Sequence, residues 1–183
     1  VAGVKLSGVF TVRTPEDAIS IRNYISEQSV KRAVVVGGGF IGLEVAENLM
    51  AQGISVTVMD MADQLMPNIF DADMADYIKR KLTAKGMRIM TGTALLEISG
   101  EETGAQRVAG VRTKMGNLPA ELVVLSMGIR PATDFLADTG LAMERGLIIT
   151  DEFQRTNLPD IYAVGDCAFV KNRITRNGQW SAT

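Results

Sequence analysis

Histidine is absent from the 183-residue sequence. Its absence removes the commonest general acid/base, the usual triad base and the commonest zinc ligand together, which leaves little room for hydrolytic chemistry. No catalytic set and no metal-ligating set is assigned. Cysteine occurs once, at Cys167. A single thiol forms neither an internal disulfide nor a Cys-x-x-Cys pair, which fits a reducing compartment and excludes a self-contained dithiol mechanism. Long apolar runs are missing too. The most apolar stretch, residues 33–43, runs into Glu44 and Glu47 and is far shorter than the ~18 uncharged residues a membrane span requires. Nor does one sign of charge dominate: 19 Lys and Arg stand against 21 Asp and Glu, a net charge of -2, which gives no support to nucleic acid as a partner. Neither nucleic acid nor membrane is expected to bind. Val1 is followed by no basic region with a small-residue cleavage pattern, so a cytoplasmic location is expected. The non-Met start and the polar, aperiodic stretch 172–183 point to a piece of something longer.

What is present is ordinary for a compact domain: 46% hydrophobic and 22% charged residues. From Thr14 the sequence offers a cap, Pro15 at the first helical position, acids at Glu16 and Asp17, and apolar Ala18, Ile21 and Ile25, the marks of an amphipathic helix. Ala33-Val34-Val35-Val36 is an unalternating β-branched run of the kind buried on both faces of a parallel sheet. A helix from Phe40 to Gln52 stopping at Gly53, and a strand over residues 55–59, complete a βαβ unit. Asp71 heads a third helix with Met74, Ile78 and Leu82 on one stripe. Strands are expected over 87–90, 94–98, 106–113, 118–127, 146–150 and 161–164, with turns at 99–105 and 115–117. The helix-free succession after residue 90 predicts an antiparallel meander, from which Leu122-Val123-Val124-Leu125 returns to the parallel sheet.

The strongest motif is Gly37-Gly38-Gly39-Phe40-Ile41-Gly42, a Gly-x-Gly-x-x-Gly between the valine strand and the following helix, with Asp60 closing the next strand 18 residues after Gly42. Each part has a task in dinucleotide binding. Gly37 permits the tight turn, Gly39 lets the backbone approach a pyrophosphate, and Gly42 lets helix and strand pack closely; the helix N-terminus supplies N–H groups and positive dipole. Asp60 would accept hydrogen bonds from the adenosine ribose hydroxyls. A carboxylate there repels a 2′-phosphate, and Met59, Met61, Ala62, Gln64 and Leu65 offer no cation, so NAD(H) is expected in preference to NADP(H). A glycine-rich turn with no ligand is the alternative. A P-loop does not fit, because Leu43-Glu44 stands where Lys-Ser or Lys-Thr is needed. The expected fold is α/β: a Rossmann-like parallel sheet with helices on both faces and an inserted antiparallel β-meander.

Four stretches in order carry a resemblance: Gly37-Gly38-Gly39-Phe40-Ile41-Gly42-Leu43-Glu44, then Val56-Thr57-Val58-Met59-Asp60, then Val123-Val124-Leu125-Ser126-Met127-Gly128-Ile129-Arg130-Pro131, then Thr156-Asn157-Leu158-Pro159-Asp160-Ile161-Tyr162-Ala163-Val164-Gly165-Asp166. Together they resemble the FAD-dependent pyridine nucleotide-disulfide oxidoreductases, in the branch of CoA-disulfide reductases, NADH oxidases and NADH peroxidases. The resemblance implies an NADH site at the glycine loop and Asp60, with Ile41 and Glu44 lining the nicotinamide side and Gly128 passing close to that ring. It implies that Gly165 and Asp166 belong to a flavin motif, Asp166 hydrogen-bonding the ribityl-phosphate region of FAD. Cys167 lies outside the family's reactive positions and reads as a packing residue. The family's first flavin motif, its redox cysteine and its dimerisation domain have no counterpart in this sequence. The implied organisation is a linking segment with helix at the flavin-domain edge (1–27), an NAD(H)-binding domain (28–131) and an incomplete trailing part of an FAD-binding domain (132–183). The implied partners are the missing flavin and dimerisation domains of the same protein, as a homodimer. The implied activity is NADH-dependent flavin reduction, with a disulfide, oxygen or peroxide as final acceptor and no turnover by this chain alone. A non-enzymatic NAD(H) sensor and a flavin-independent dehydrogenase are the competing readings.

Overall fold

The computed structural model describes residues 1–101, 106–171 and 178–180. They fall into two units, Val1–Gly128 and Ile129–Thr183.

The first unit is built on a five-stranded, wholly parallel sheet. Its strands are β1 (Val9–Thr11), β2 (Arg32–Val36), β3 (Ser55–Met59), β4 (Arg88–Met90) and, after the meander β5 (Glu97–Gly100), β6 (Val108–Thr113) and β7 (Gly116–Pro119), the returning β8 (Leu122–Leu125). The order across the sheet is β1-β8-β2-β3-β4. Three helices connect it: α1 (Pro15–Gln28), α2 (Phe40–Ala51) and α3 (Ala72–Ala84).

Local chemistry accounts for the helix limits. Thr14 caps α1 through a reciprocal box in which its hydroxyl accepts from the Asp17 N–H (3.4 Å) and the Asp17 carboxylate accepts from the Thr14 N–H (3.0 Å). Gly53, at φ +80°, ends the α2 turn as expected. Asp71 occupies the N-cap of α3 without a side-chain cap bond. The α3 stripe is Ala75, Ile78 and Leu82 rather than Met74, which is exposed. Methionine's apolarity marked the wrong position there, because the buried residue is Ala75, one residue on.

The valine-rich strands are dry on both faces, but the covering differs from the expectation of helices on both. Ala33, Val35, Val56, Val58, Leu122 and Val124 point to one face and pack with Ile21, Tyr24, Leu43, Ala46, Leu49 and Leu82 of the three helices. Val34, Val36, Met59 and Val123 point to the other and pack with Ile98, Val108, Val111 and Leu118 of the meander. An unalternating run reports that both faces are buried, not which element buries them. The meander itself is antiparallel in the order β5-β6-β7. The expected strand 118–127 divides between β7 and β8, and Val9–Thr11, within the expected linking segment, is a sheet strand beside β8, where Phe10 meets Tyr24 of α1 edge-on at 5.4 Å. Three residues are too few for a period to show in sequence.

Glu121 ties the start of β2 to the start of β8. Its carboxylate accepts from the backbone N–H groups of Lys31 (3.0 Å) and Arg32 (2.7 Å) and from the Arg32 Nε (2.9 Å). Burial pushes this carboxyl up, but the bonds from Arg32 and Lys31 outweigh it and hold it below the ordinary glutamate value. A lowered value means stability that is present at neutral pH and lost as pH falls through the folded-state value. Glu121→Gln is expected to cost about 1 kcal/mol at pH 7, reduced by its partial exposure, with the gap to wild type closing in acid; thermal unfolding at both pH values reads this.

The second unit holds a four-stranded sheet of β9 (Met143–Glu144), β10 (Leu147–Ile149), β11 (Ala168–Lys171) and β12 (Gly178–Trp180), in the order β12-β11-β10-β9. β10 and β11 are parallel; the outer pairs are antiparallel. Ile148, Ala163 and Ala168 form its small core. Residues 161–164 are not a strand. Tyr162 makes an isolated bridge to Arg155, and Ile161, Tyr162 and Val164 are exposed; the apolar composition had suggested pairing that the backbone does not continue. β12 lies within the stretch expected to hold no element. Of the expected turn at 99–105, residues 102–105 lie outside the described set, as do 172–177 and 181–183 of the polar stretch.

Candidate functional site at the C-terminal edge of the parallel sheet

Three strands of the first unit, β8, β2 and β3, end side by side, and the loops that leave them, together with the first turns of α2, hold nine of the expected site residues. Gly37 leaves β2 at φ +113°, its N–H donating to Met59 O at 2.8 Å. A Cβ on Gly37 would stand 2.0 Å from Ser126 O, just beyond β8, and a Cβ on Gly42 would stand 2.0 Å from Gly37 O. Both glycines are therefore required by the protein's own packing. Gly38 is confined by Leu65, whose Cδ2 lies 2.6 Å from its Cβ position. Gly39 differs. Its backbone is extended (φ -82°, ψ -176°), and nothing lies within 4 Å of its Cβ position. An added methyl would project into open space above the start of α2.

That helix start is prepared for an anion. Gly39 is the N-cap and supplies no side-chain bond, and the first turn carries no acid, unlike those of α1 and α3. The first-turn N–H groups lack intrahelical acceptors, and the dipole adds partial positive charge. Phe40 and Ile41 are 47% and 42% exposed despite being apolar. Glu44, on the next turn, is exposed as well.

Asp60 follows β3 directly. Its backbone is held on both sides, N–H to Met90 O (2.9 Å) and O from Thr93 N–H (2.8 Å). Its carboxylate accepts from the Gly38 N–H at Oδ2 (2.6 Å) and from the Ala62 N–H at Oδ1 (2.8 Å). The side chain is thus aimed by the glycine loop itself, and each oxygen retains a lone pair for another donor. Sequence reasoning assigned Asp60 to a ligand and missed this internal task; the Asp-x-Ala spacing, which suits an Asx turn, was the available signal. Lys79 of α3 is half-buried and donates from Nζ to Thr91 Oγ1 (3.1 Å) at the end of β4.

Gly128 lies past β8 at φ +91°, exposed and with open space at its Cβ position. The other two expected residues belong to the second unit. Gly165 (φ +78°) opens a 3-10 turn, Gly165–Cys167, and Asp166 is exposed on it. Cys167 packs partly buried against the small core of that unit, its Sγ donating to Val164 O at 3.4 Å. Among the described residues no cluster of His, Cys, Asp and Glu could hold a metal ion, and no helix is long and apolar enough to cross a membrane.

The family model for pyridine nucleotide-disulphide oxidoreductases matches residues 1–182. The chain belongs to this family. Among pyridine nucleotide-disulphide oxidoreductase relatives, it is 36% identical over 181 residues to the NAD(P)H coenzyme A polysulfide/persulfide reductase of Pyrococcus horikoshii, covering 98% of this chain and 40% of that protein. It is 37% identical over 175 residues to the NADH oxidase of Methanocaldococcus jannaschii, covering 96% and 38%. A solved structure, the ferredoxin reductase of Rhodopseudomonas palustris, matches with a TM-score of 0.89 at 31% identity over 98% of this chain and 43% of that one. The chain therefore spans about two-fifths of the length of the curated relatives it matches. The family's pyridine nucleotide suits the edge described above: Gly39 leaves room for a pyrophosphate against the start of α2, and Asp60 retains acceptor capacity for sugar hydroxyls beside it.

Proposed function

We propose that the chain holds NADH within an FAD-dependent oxidoreductase that passes hydride from NADH to flavin and on to a disulfide, oxygen or peroxide. The observation that carries the reading is Gly39, the one glycine of the motif whose lack of a side chain answers no neighbour in the protein. Its task is then to let a pyrophosphate reach the α2 N–H groups. Gly37 and Gly42 hold the turn and Gly38 presents its N–H to Asp60. Asp60 accepts the ribose hydroxyls, and Ile41, Glu44 and Gly128 flank the nicotinamide. Phe40 covers the first turn beside the phosphates. When bound, the dinucleotide supplies the hydride and the flavin takes it up; this chain's residues orient the donor and keep the carboxylate pointed at the sugar. Gly165 and Asp166 are assigned to one edge of the flavin site, Asp166 accepting from a ribityl hydroxyl, which suits an open turn position with an exposed carboxylate. The flavin and dimerisation parts of the full protein, as a cytoplasmic homodimer, would supply the rest, including the residues that choose the acceptor.

NADH is preferred over NADPH in this reading, because an aimed carboxylate accepts a 2′-hydroxyl and repels a 2′-phosphate. Lys79 at the end of β4 works the other way. Calorimetric titration of the chain with NADH and then NADPH separates the two influences. Saturable binding that is tighter for NADH is expected. Equal affinities would remove the preference, and no binding of either would overturn the dinucleotide assignment. Steady NADH oxidation by the chain without added flavoprotein would overturn the assignment of turnover to the larger protein.

A further inference from the structure

The meander has a task at the same edge. In the strand order β8-β2-β3-β4, the proposed nicotinamide contact Gly128 follows β8, the phosphate-facing Gly39 follows β2 and the ribose acceptor Asp60 follows β3. A dinucleotide laid along that line continues past Asp60 toward β4, and the base is bonded directly to the sugar. The base therefore arrives over the segment that leaves β4.

Beside that segment stands Met115. It lies in the turn of the β6–β7 hairpin, and two buried threonines fix it there. Thr113 Oγ1 accepts from the Met115 N–H (3.0 Å) and donates to Gly116 O (2.9 Å), which closes the turn. Thr93 Oγ1 lies 3.7 Å from Met115 Sδ, and the Thr93 N–H donates to Asp60 O (2.8 Å). One residue thus links the Met115 sulfur to the Asp60 backbone. Thr93 and Thr113 are 4% and 5% exposed, yet Met115 is 75% exposed, and Met61, next after Asp60, is 79% exposed. Met61 stands open to water next in the chain to the aimed carboxylate, and Met115 stands open beside Thr93, which follows β4.

We infer that Met115 forms the wall against which the adenine base of the dinucleotide rests. The inference builds on the reading of Asp60 as the ribose acceptor. A flat aromatic base buries the thioether stem that water otherwise surrounds, and sulfur–aromatic contact adds to that burial. The hairpin turn, which has no place in a plain βαβ dinucleotide motif, becomes a part of the binding site.

The test uses ADP-ribose, which carries the base, both phosphates and no nicotinamide, alongside NADH, each titrated into wild type, Met115→Ala and Met115→Leu. Met115→Ala is expected to weaken both ligands by the same factor, about twofold to tenfold, the range of a lost sulfur–aromatic contact. Met115→Leu, which keeps the apolar bulk, is expected to stay within about twofold of wild type, and all three unfolding midpoints are expected to coincide because the side chain is exposed. ADP-ribose binding Met115→Ala as tightly as wild type would overturn the inference while leaving the dinucleotide reading in place. Wild type binding neither ligand would overturn both.

Discussion

Gly39→Ala is expected to abolish most NADH affinity while leaving the fold intact, and Gly42→Ala is expected to do the reverse order of damage, losing the fold first. The two glycines sit three residues apart in one motif, so composition cannot separate them. Their surroundings do. A methyl on Gly42 would overlap Gly37 O at 2.0 Å, and that oxygen belongs to a backbone turn that is itself held against Ser126 O. Neither partner is a flexible side chain, so the strain is relieved only by moving α2 off the sheet, at about 3 kcal/mol or more. A methyl on Gly39 meets nothing within 4 Å, and its backbone is one that alanine adopts freely. Its cost to stability is the exchange of one N-cap residue for a poorer one, under about 1 kcal/mol. The same methyl stands where a pyrophosphate has to approach the α2 N–H groups. Lengthening one or two charge-assisted hydrogen bonds there is worth about tenfold to a hundredfold in affinity. Thermal unfolding and calorimetry on the two variants read both effects. Gly39→Ala binding NADH like wild type would remove that glycine from the site.

Asp60→Ala is expected to lower NADH affinity about tenfold or more and to narrow or invert the ratio of NADH to NADPH affinity. The carboxylate loses its hydrogen bonds to ribose hydroxyls, each worth about 1.5–3 kcal/mol when the acceptor is charged. The 2′-phosphate of NADPH loses a repulsion instead, so its binding falls less or rises. A second effect follows from geometry. Asp60 also accepts from the N–H groups of Gly38 and Ala62, so the alanine variant releases the glycine loop from β3. Asp60→Asn keeps one oxygen for the Gly38 N–H and removes the charge, which separates aiming from electrostatics. Asparagine binding NADPH better than wild type is the expected result, with an unfolding midpoint somewhat below wild type because the amide nitrogen cannot accept from the Ala62 N–H. Unchanged discrimination in both variants would sink the electrostatic argument.

Much of the first unit was readable from sequence because its signals are local. The Thr14 to Asp17 spacing specified a capping box, the four residues 33–36 a strand dry on both faces, and the glycine motif a sharp turn into α2. Errors cluster where a partner far along the chain decides. Met74 satisfied the helical period as well as Ala75 does, but only Ala75 is buried. Residues 161–164 had strand composition, yet their strand-type pairing stops at an isolated bridge, Arg155 to Tyr162. Val9–Thr11 is a strand because β8, more than a hundred residues away, offers its edge.

The sequence by itself determined the family, the dinucleotide motif and its acid, since each depends on residue types at short fixed spacings whose backbone consequences are steric. Tertiary structure alone decided the rest. It placed helices on one face and a meander on the other, because burial of a strand face is indifferent to what covers it. It separated Gly39 from its neighbours and carried Lys79 and Met115 to the end of β4. Those relations hold between residues distant in the chain, and they exist only once the sheet has set its strand order.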